Sequence, residues 1–138
     1  MLVRLLYASR TSATEADFAA ILRASRAHNG PLGITGLLCH ADGVFVQLLE
    51  GSREAVNQLY NLIVADPRHR DVILLAYEEI TQRRFAGWSM GQVSLPRLNP
   101  ALLLKYSESA KLDPYGMSGK QVSALFEELV SEGVIVCN

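Results

Sequence analysis

Short apolar runs and amphipathic segments alternate along the first part of the chain, and their order strongly constrains the fold. Runs typical of strands occupy 2–9, 33–40, 44–50 and 72–80, and helical patterns follow the first and the third of them. The order strand, helix, strand, strand, helix, strand predicts an α+β fold of the ferredoxin-like type. In that fold an antiparallel sheet carries both helices on one face.

The ends of both helices are marked by capping and helix-breaking residues. Thr14 precedes Asp17 by three residues, which is the spacing of a capping box, and Ser52 is a suitable N-cap for the second helix. Asn29-Gly30-Pro31 is expected to end the first helix, and Asp66-Pro67 the second. The Asp42-Gly43 pair predicts a hairpin turn between the second and third strands.

Beyond residue 80 the pattern changes from strand to helix. Residues 85–95 predict a fifth strand, and two helical patterns follow at 101–106 and 118–131. Val122, Leu125, Phe126, Leu129 and Val130 would form the inward face of the last helix. We expect these two helices to pack on the other face of the sheet or on a partner.

Composition limits the classes of function. The 138 residues include 13 basic and 14 acidic ones, so no excess of positive charge suggests nucleic acid or a membrane surface as a partner. No apolar stretch is long enough for a membrane span, and the N-terminus lacks a signal-peptide core. Cys39 and Cys137 form neither a disulfide framework nor a metal-ligand spacing. We therefore expect a cytoplasmic, single-domain protein.

Two polar side chains occur within strand-like runs. Gln47 interrupts the apolar run 44–49, and Tyr7 lies in the run 3–9. Burying an amide costs on the order of a few kcal/mol unless its polar atoms are matched, so these side chains could converge on one polar ligand. The alternative for each is a core residue bonded to backbone or water.

Other candidate residues have ordinary structural explanations as well. His28 and Asn29 could face a heteroaromatic ring, or Asn29 could simply cap the helix. Arg68 lies in a basic turn that could bind phosphate or remain solvated, and Trp88 and Met90 could fill the core. The histidines 28, 40 and 69 have no zinc spacing, and no catalytic signature is present, so we predict neither a metal site nor an enzyme.

Taken together, these motifs closely resemble the BLUF family of blue-light sensors using flavin. The resemblance covers residues 2 to about 95. The segments that carry it, in order, are Tyr7, Asn29, Gly33-Ile34-Thr35-Gly36-Leu37-Leu38, Phe45-Val46-Gln47-Leu48-Leu49-Glu50-Gly51, Asp66-Pro67-Arg68-His69 and Arg84-Phe85-Ala86-Gly87-Trp88-Ser89-Met90. It implies a flavin-binding domain at 1–95 and a C-terminal helical extension at 96–138 packed on that domain.

The resemblance also implies roles for individual residues. The photoactive residues would be Tyr7 and Gln47, with Trp88 and Met90 in a neighbouring switch segment. The residues implied to bind the cofactor are Tyr7, Ile21, His28, Asn29, Ile34, Gln47, Arg68 and Met90. Among them, His28 and Asn29 would meet the polar edge of the flavin ring. Ile21 and Ile34 would sandwich the ring, and Arg68 would face the phosphate or ribityl end.

The implied function is that of a blue-light photoreceptor with non-covalently bound FAD. Light would rearrange the hydrogen bonds among Tyr7, Gln47 and flavin, and the signal would pass to a separate effector protein, with the receptor a homo-oligomer. The C-terminal helices and the tail 134–136 are candidate contacts, although intramolecular packing also explains them. The alternatives are a flavin-free ferredoxin-like protein-interaction module and a flavin-dependent redox enzyme.

Overall fold

The computed structural model describes residues 1–41, 43–93, 99–131 and 135–136. In this part of the chain the strands are β1 (Leu2–Arg10), β2 (Thr35–Ala41), β3 (Val44–Ser52), β4 (Arg70–Ile80), β5 (Gly91–Val93) and β6 (Ile135–Val136). The helices are α1 (Glu15–Asn29), α2 (Arg53–Ala65), α3 (Pro100–Tyr106) and α4 (Gly119–Ser131), with one 3-10 turn at Pro114–Gly116.

The strands form one sheet in the order β4-β1-β3-β2-β5-β6. Strands β1 to β4 pair with one another in antiparallel fashion, so the predicted ferredoxin-like arrangement is confirmed. β5, the strand added to this unit, lies parallel to β2, with Leu37 opposite Gly91. The sheet is therefore mixed.

The predicted fifth strand at 85–95 was too long. β5 begins only at Gly91, and residues 94 and 95 lie outside the described residues. The preceding residues form no regular strand. The Glu50 carboxylate binds the backbone N–H groups of Arg84 and Phe85 at 3.1 and 2.7 Å, and the Trp88 carbonyl accepts from the N–H of Gly36 in β2 at 3.1 Å. These bonds hold the connection, and regular pairing with β2 begins only at Gly91.

The predicted helix ends are confirmed by hydrogen bonds. Thr14 Oγ1 accepts from the N–H of Asp17, and Asp17 Oδ2 accepts from the N–H of Thr14, which completes the capping box. Ser52 Oγ accepts from the N–H of Ala55 at the start of α2. α1 ends at Asn29, as expected, and the pairing of β2 with β3 forms the predicted hairpin, whose residue Asp42 is not described.

The sheet has a core on each face. α1 and α2 cover one face, where Val3, Leu5, Phe45 and Leu49 are buried. α3 and α4 cover the other face. Their buried side chains there are Leu102, Leu103, Val122, Leu125, Phe126 and Leu129. The packing of the C-terminal helices on the sheet is thus intramolecular, while the boundary predicted at 95/96 falls outside the described residues and stays a prediction.

The tail contributes a short edge strand. Ile135 pairs with Val93 and Val136 with Gln92, so the backbone of this part of the tail is bonded within the molecule. Val134 and Cys137, which the sequence also brought into consideration, lie outside the described residues. Within the described ranges, no helix is both long and apolar enough to cross a membrane.

Candidate functional site

Tyr7 and Gln47 meet on the face of the sheet that α1 and α2 cover. They are directly opposite each other on β1 and β3, and side chains at opposed positions of neighbouring strands lie on the same face. The Tyr7 hydroxyl donates to Gln47 Oε1 at 2.5 Å, and the two residues are 1% and 4% exposed. The convergence of these two polar side chains expected from the sequence is therefore present.

The other end of the Gln47 amide points to Met90. Gln47 Nε2 donates to the Met90 sulfur at 3.4 Å, and Met90 is buried in the same core as Tyr7. A thioether is a weak acceptor, so this contact is weaker than the one to Tyr7. The amide thus has a side-chain partner at its oxygen and another at its nitrogen.

A cavity, here called the interhelical cavity, opens between α1, α2 and this face of the sheet. Its empty space is about 780 Å³, which includes space open to solvent at its mouth. Its wall is formed by Tyr7, Ile21, Ala24, Ser25, His28, Asn29, Leu38, Phe45, Gln47, Leu59, Leu62, Ile63, Asp66, Arg68 and His69.

One buried polar atom in this wall has no partner among the described residues. Asn29 is 1% exposed at the end of α1, and its Oδ1 accepts no hydrogen bond. An unmatched buried acceptor costs on the order of 1 to 3 kcal/mol, which a ligand donor would recover. The imide N–H of a flavin ring is such a donor, so the unmatched acceptor in the wall fits a flavin.

Burial determines the protonation states of Tyr7 and His69 in the site. Burial raises the pKa of the Tyr7 phenol far above its ordinary value, and the nearby Tyr60 and Asp66 raise it further. Tyr7 therefore stays a neutral hydrogen-bond donor at physiological pH. Burial likewise lowers the pKa of His69, so its imidazole favours the neutral form.

The rim of the cavity carries an ion pair. The Arg68 guanidinium donates to the Asp66 carboxylate, with Nη2 at 2.6 Å from Oδ2, and this hydrogen bond lowers the pKa of Asp66. Arg68 also borders a second hollow beside Ser12 and Asp17. The Arg68 guanidinium is already paired with the Asp66 carboxylate. The role of Arg68 in binding phosphate therefore stays a prediction.

The remaining predicted residues are divided between the cavity and the core. Ile21 and His28 lie in the cavity wall, whereas Ile34 does not line it and is fully buried in the core behind it. Trp88 is half-buried against the core on the opposite face, near Phe85. The structure thus brings Met90 rather than Trp88 to Gln47, and the roles of Ile34 and Trp88 stay predictions.

The structure also adds wall residues that sequence reasoning missed as site residues. His69 Nδ1 lies 2.7 Å from Ser9 Oγ, and its ring packs edge-on to Tyr7 and against Phe45. Leu59 of α2 lines the cavity as well. Strand periodicity could have found Ser9 and Phe45, since each is two residues from Tyr7 or Gln47.

A ferredoxin-like sheet with a buried Tyr–Gln pair beneath an interhelical cavity is an arrangement suited to holding a small molecule. The family described as sensors of blue-light using FAD, or BLUF, matches residues 2–91. The chain belongs to this family, and it is a flavin-binding domain of the blue-light sensor class. The predicted family membership is confirmed, and the matched description is that of a sensor.

Relatives share the domain in different settings. The chain is 41% identical over 75 residues to the photoactivated adenylate cyclase subunit beta of Euglena longa, a match covering 54% of this chain and 9% of that relative. The dark-state structure of BlrB, a BLUF protein, is 40% identical, has a TM-score of 0.79 and covers 96% of both chains. The photo-activated state of BlsA is 31% identical, with a TM-score of 0.84 and coverage of 94% of this chain and 95% of that one.

Proposed function

We propose that this protein is a blue-light photoreceptor that binds FAD non-covalently in the interhelical cavity. Light would be read out as a rearrangement of the hydrogen bonds made by Tyr7 and Gln47. The observation that carries the proposal is the bond between Tyr7 Oη and Gln47 Oε1 beneath that cavity. When bound, the flavin supplies blue-light absorption and an electron acceptor.

The protein side of the reaction rests on what this pair can do. A buried neutral phenol can give up an electron and, along its hydrogen bond, a proton, and Gln47 Oε1 is the atom that faces that proton. Gln47 can then either turn its amide or change tautomer. Either change replaces the group that it presents to Tyr7.

The same change would reach Met90. In the present arrangement Gln47 Nε2 donates to the Met90 sulfur, and a thioether sulfur carries no hydrogen that it could donate to an amide oxygen. Turning the amide would therefore end this contact. Since β5 begins one residue after Met90, the output of the site would start as a change at this end of the sheet.

The remaining residues would bind and orient the ring. Asn29 would accept from the imide N–H, His28 would lie at the same polar edge, and Ile21 would contact a face of the ring. Arg68 would lie toward the phosphate or ribityl end. We propose that the signal then passes to a separate effector protein in the cytoplasm and that the receptor is a homo-oligomer.

Absorption spectroscopy of the purified protein tests this proposal. A bound flavin whose spectrum shifts to the red under blue light and recovers in darkness is the expected result. Gln47→Leu should retain flavin and lose the shift, because leucine cannot exchange hydrogen bonds. Gln58→Leu, the same change at an exposed position of α2, is the matched control and should shift like the wild type.

The contrary outcomes point to the other classes of protein. A full red shift in Gln47→Leu would contradict the proposed network. A flavin that bleaches and turns over with a reductant would indicate a redox enzyme, and a colourless protein that takes up no added FAD would indicate a flavin-free binding module.

A further inference from the structure

We infer that Arg26 is a positioning residue that presents the Met90 sulfur to Gln47. Arg26 lies in α1 and is half-buried, and its Nε donates to the backbone carbonyl of Met90 at 3.0 Å. A hydrogen bond from a guanidinium is stronger than one between neutral groups. The inference deepens the proposed function and rests on it for its signalling role.

Met90 is held at two points that face different elements. Its sulfur accepts from Gln47 of β3, while its carbonyl accepts from Arg26 of α1. Two residues earlier, the Trp88 carbonyl accepts from the N–H of Gly36 at 3.1 Å. Because a thioether is a weak acceptor, the contact with Gln47 needs a backbone that is already in place, and the bond from Arg26 fixes that backbone nearest to the sulfur.

Arg26 also ties this backbone to the helix that forms the cavity wall. Ser25, one residue before Arg26, and His28 and Asn29 shortly after it all line the cavity. A displacement of this part of α1 would therefore act on the Met90 carbonyl directly. Arg26 itself is not a wall residue, so its role is to connect the wall to Met90 rather than to bind the ligand.

Three substitutions distinguish the effect of the Arg26 hydrogen bond from the effects of the charge and the size of its side chain. Arg26→Met keeps the unbranched stem but removes the donor. Arg26→Gln also removes the charge, yet it places an amide nitrogen as many bonds from Cα as the arginine Nε and can restore the bond. Arg23→Met makes the apolar change at an exposed position one turn earlier in α1.

Hydrogen–deuterium exchange of the flavin-free protein tests positioning without any photochemistry. In Arg26→Met, amides of the peptide 85–92 should exchange roughly tenfold faster than in the wild type, because one charged hydrogen bond no longer opposes local opening. Arg26→Gln should restore most of the protection through a neutral hydrogen bond, and Arg23→Met should match the wild type. Equal exchange in Arg26→Met and Arg23→Met would overturn the inference.

The dark recovery of the flavin-loaded protein tests the consequence for Gln47. Arg26→Met should recover several-fold more slowly, since the acceptor to which Gln47 returns is no longer preformed, and Arg26→Gln should restore the rate. In a Met90→Leu background the Arg26→Met change should have no further effect. A slowing that persists in that background would contradict coupling through Met90.

If the wild type shows no red shift, the proposed function fails. The hydrogen–deuterium exchange result would still decide whether Arg26 positions Met90.

Discussion

At the scale of single residues, the buried carboxylate of Glu50 organises the connection that leads to Met90. It is fully buried, and it accepts from Arg4 Nε and Nη2 at 2.8 and 2.7 Å and from two backbone N–H groups. A buried carboxylate is tolerated only when its oxygens are matched in this way. This residue of β3 therefore acts as an anchor for a segment distant in sequence, at 84–85.

Glu50→Gln should lower the free energy of unfolding by about 2 to 3 kcal/mol, because the amide nitrogen replaces an acceptor with a donor among groups that only donate. Denaturant unfolding measures this effect. Glu78→Gln is the matched control, since Glu78 also pairs with Arg4 but is 59% exposed, and it should cost less than about 1 kcal/mol. Equal losses in the two variants would show that burial of the Glu50 pair does not matter.

His69 gives the site a dependence on pH. Burial lowers the pKa of His69 in the folded protein below its ordinary value near 6.5, so the unfolded chain takes up its proton first as the pH falls. The contribution of neutral His69 to stability is complete above about pH 6.5 and is lost as the pH falls through the lowered pKa. Protonation would also add charge beside Tyr7 and Phe45, which its ring contacts.

Wild-type protein should thus lose more stability between about pH 7 and 5 than His69→Gln, which has no group to titrate at this position. Urea unfolding across this range measures the difference. The comparison cancels the carboxylates, including Asp66, whose pKa is itself lowered by the hydrogen bond from Arg68. If the stability of the two proteins changes with pH in the same way, burial does not disfavour the protonated form of His69.

At the scale of elements, Gly36 permits the close approach of β2 and β3. Its φ is +156°, and a Cβ built on it would lie 1.8 Å from the backbone oxygen of Leu48. Gly36→Ala should therefore force the hairpin strands apart and cost on the order of 3 kcal/mol in denaturant unfolding. Because the Gly36 N–H also holds the Trp88 carbonyl, loosening of the Met90 connection should accompany the loss.

Gly87 is the control for this prediction. A Cβ at Gly87 would meet nothing within 4 Å, although this residue lies in the connection that Gly36 helps to hold. Gly87→Ala should leave stability within about 0.5 kcal/mol of the wild type. Gly87→Ala could instead lose as much unfolding free energy as Gly36→Ala. The contact with Leu48 would then not be the reason that position 36 requires glycine.

The elements that the sequence predicted well are those determined by local interactions. The capping box of Thr14 and Asp17 and the cap at Ser52 involve residues three positions apart, so their patterns are visible in the chain. The start of β5 could not be predicted in the same way. It depends on hydrogen bonds between Glu50 and a segment distant in sequence, and local strand propensity gives no indication of such contacts.

The same distinction applies to the site at the scale of the whole molecule. Tyr7 and Gln47 were predictable because an amphipathic side chain within an apolar strand is conspicuous, and the ferredoxin-like order makes β1 and β3 neighbours. The choice of Met90 over Trp88 was not predictable. It depends on which residue of the connection reaches the cavity face, and bonds to Arg26 and Gly36 determine that orientation.

Both cores share one sheet, so the C-terminal helices should unfold together with the cavity. On β3 the cavity-facing Gln47 alternates with Val46 and Leu48, which pack in the core beneath α3 and α4. Loss of α4 would expose the apolar underside of the strands that carry the site. The structure therefore predicts one cooperative unfolding transition rather than two.

Phe126→Ala tests this coupling, because Phe126 of α4 is fully buried in the core opposite the cavity. The variant should lower the free energy of unfolding by about 3 to 5 kcal/mol. Far-ultraviolet circular dichroism and the fluorescence of the single tryptophan should still change at the same denaturant concentration. Leu104→Ala, at a 55% exposed position of α3, should change stability by less than about 0.5 kcal/mol. A helical transition in Phe126→Ala that precedes unfolding of the sheet would contradict the coupling and make α3 and α4 a separable layer.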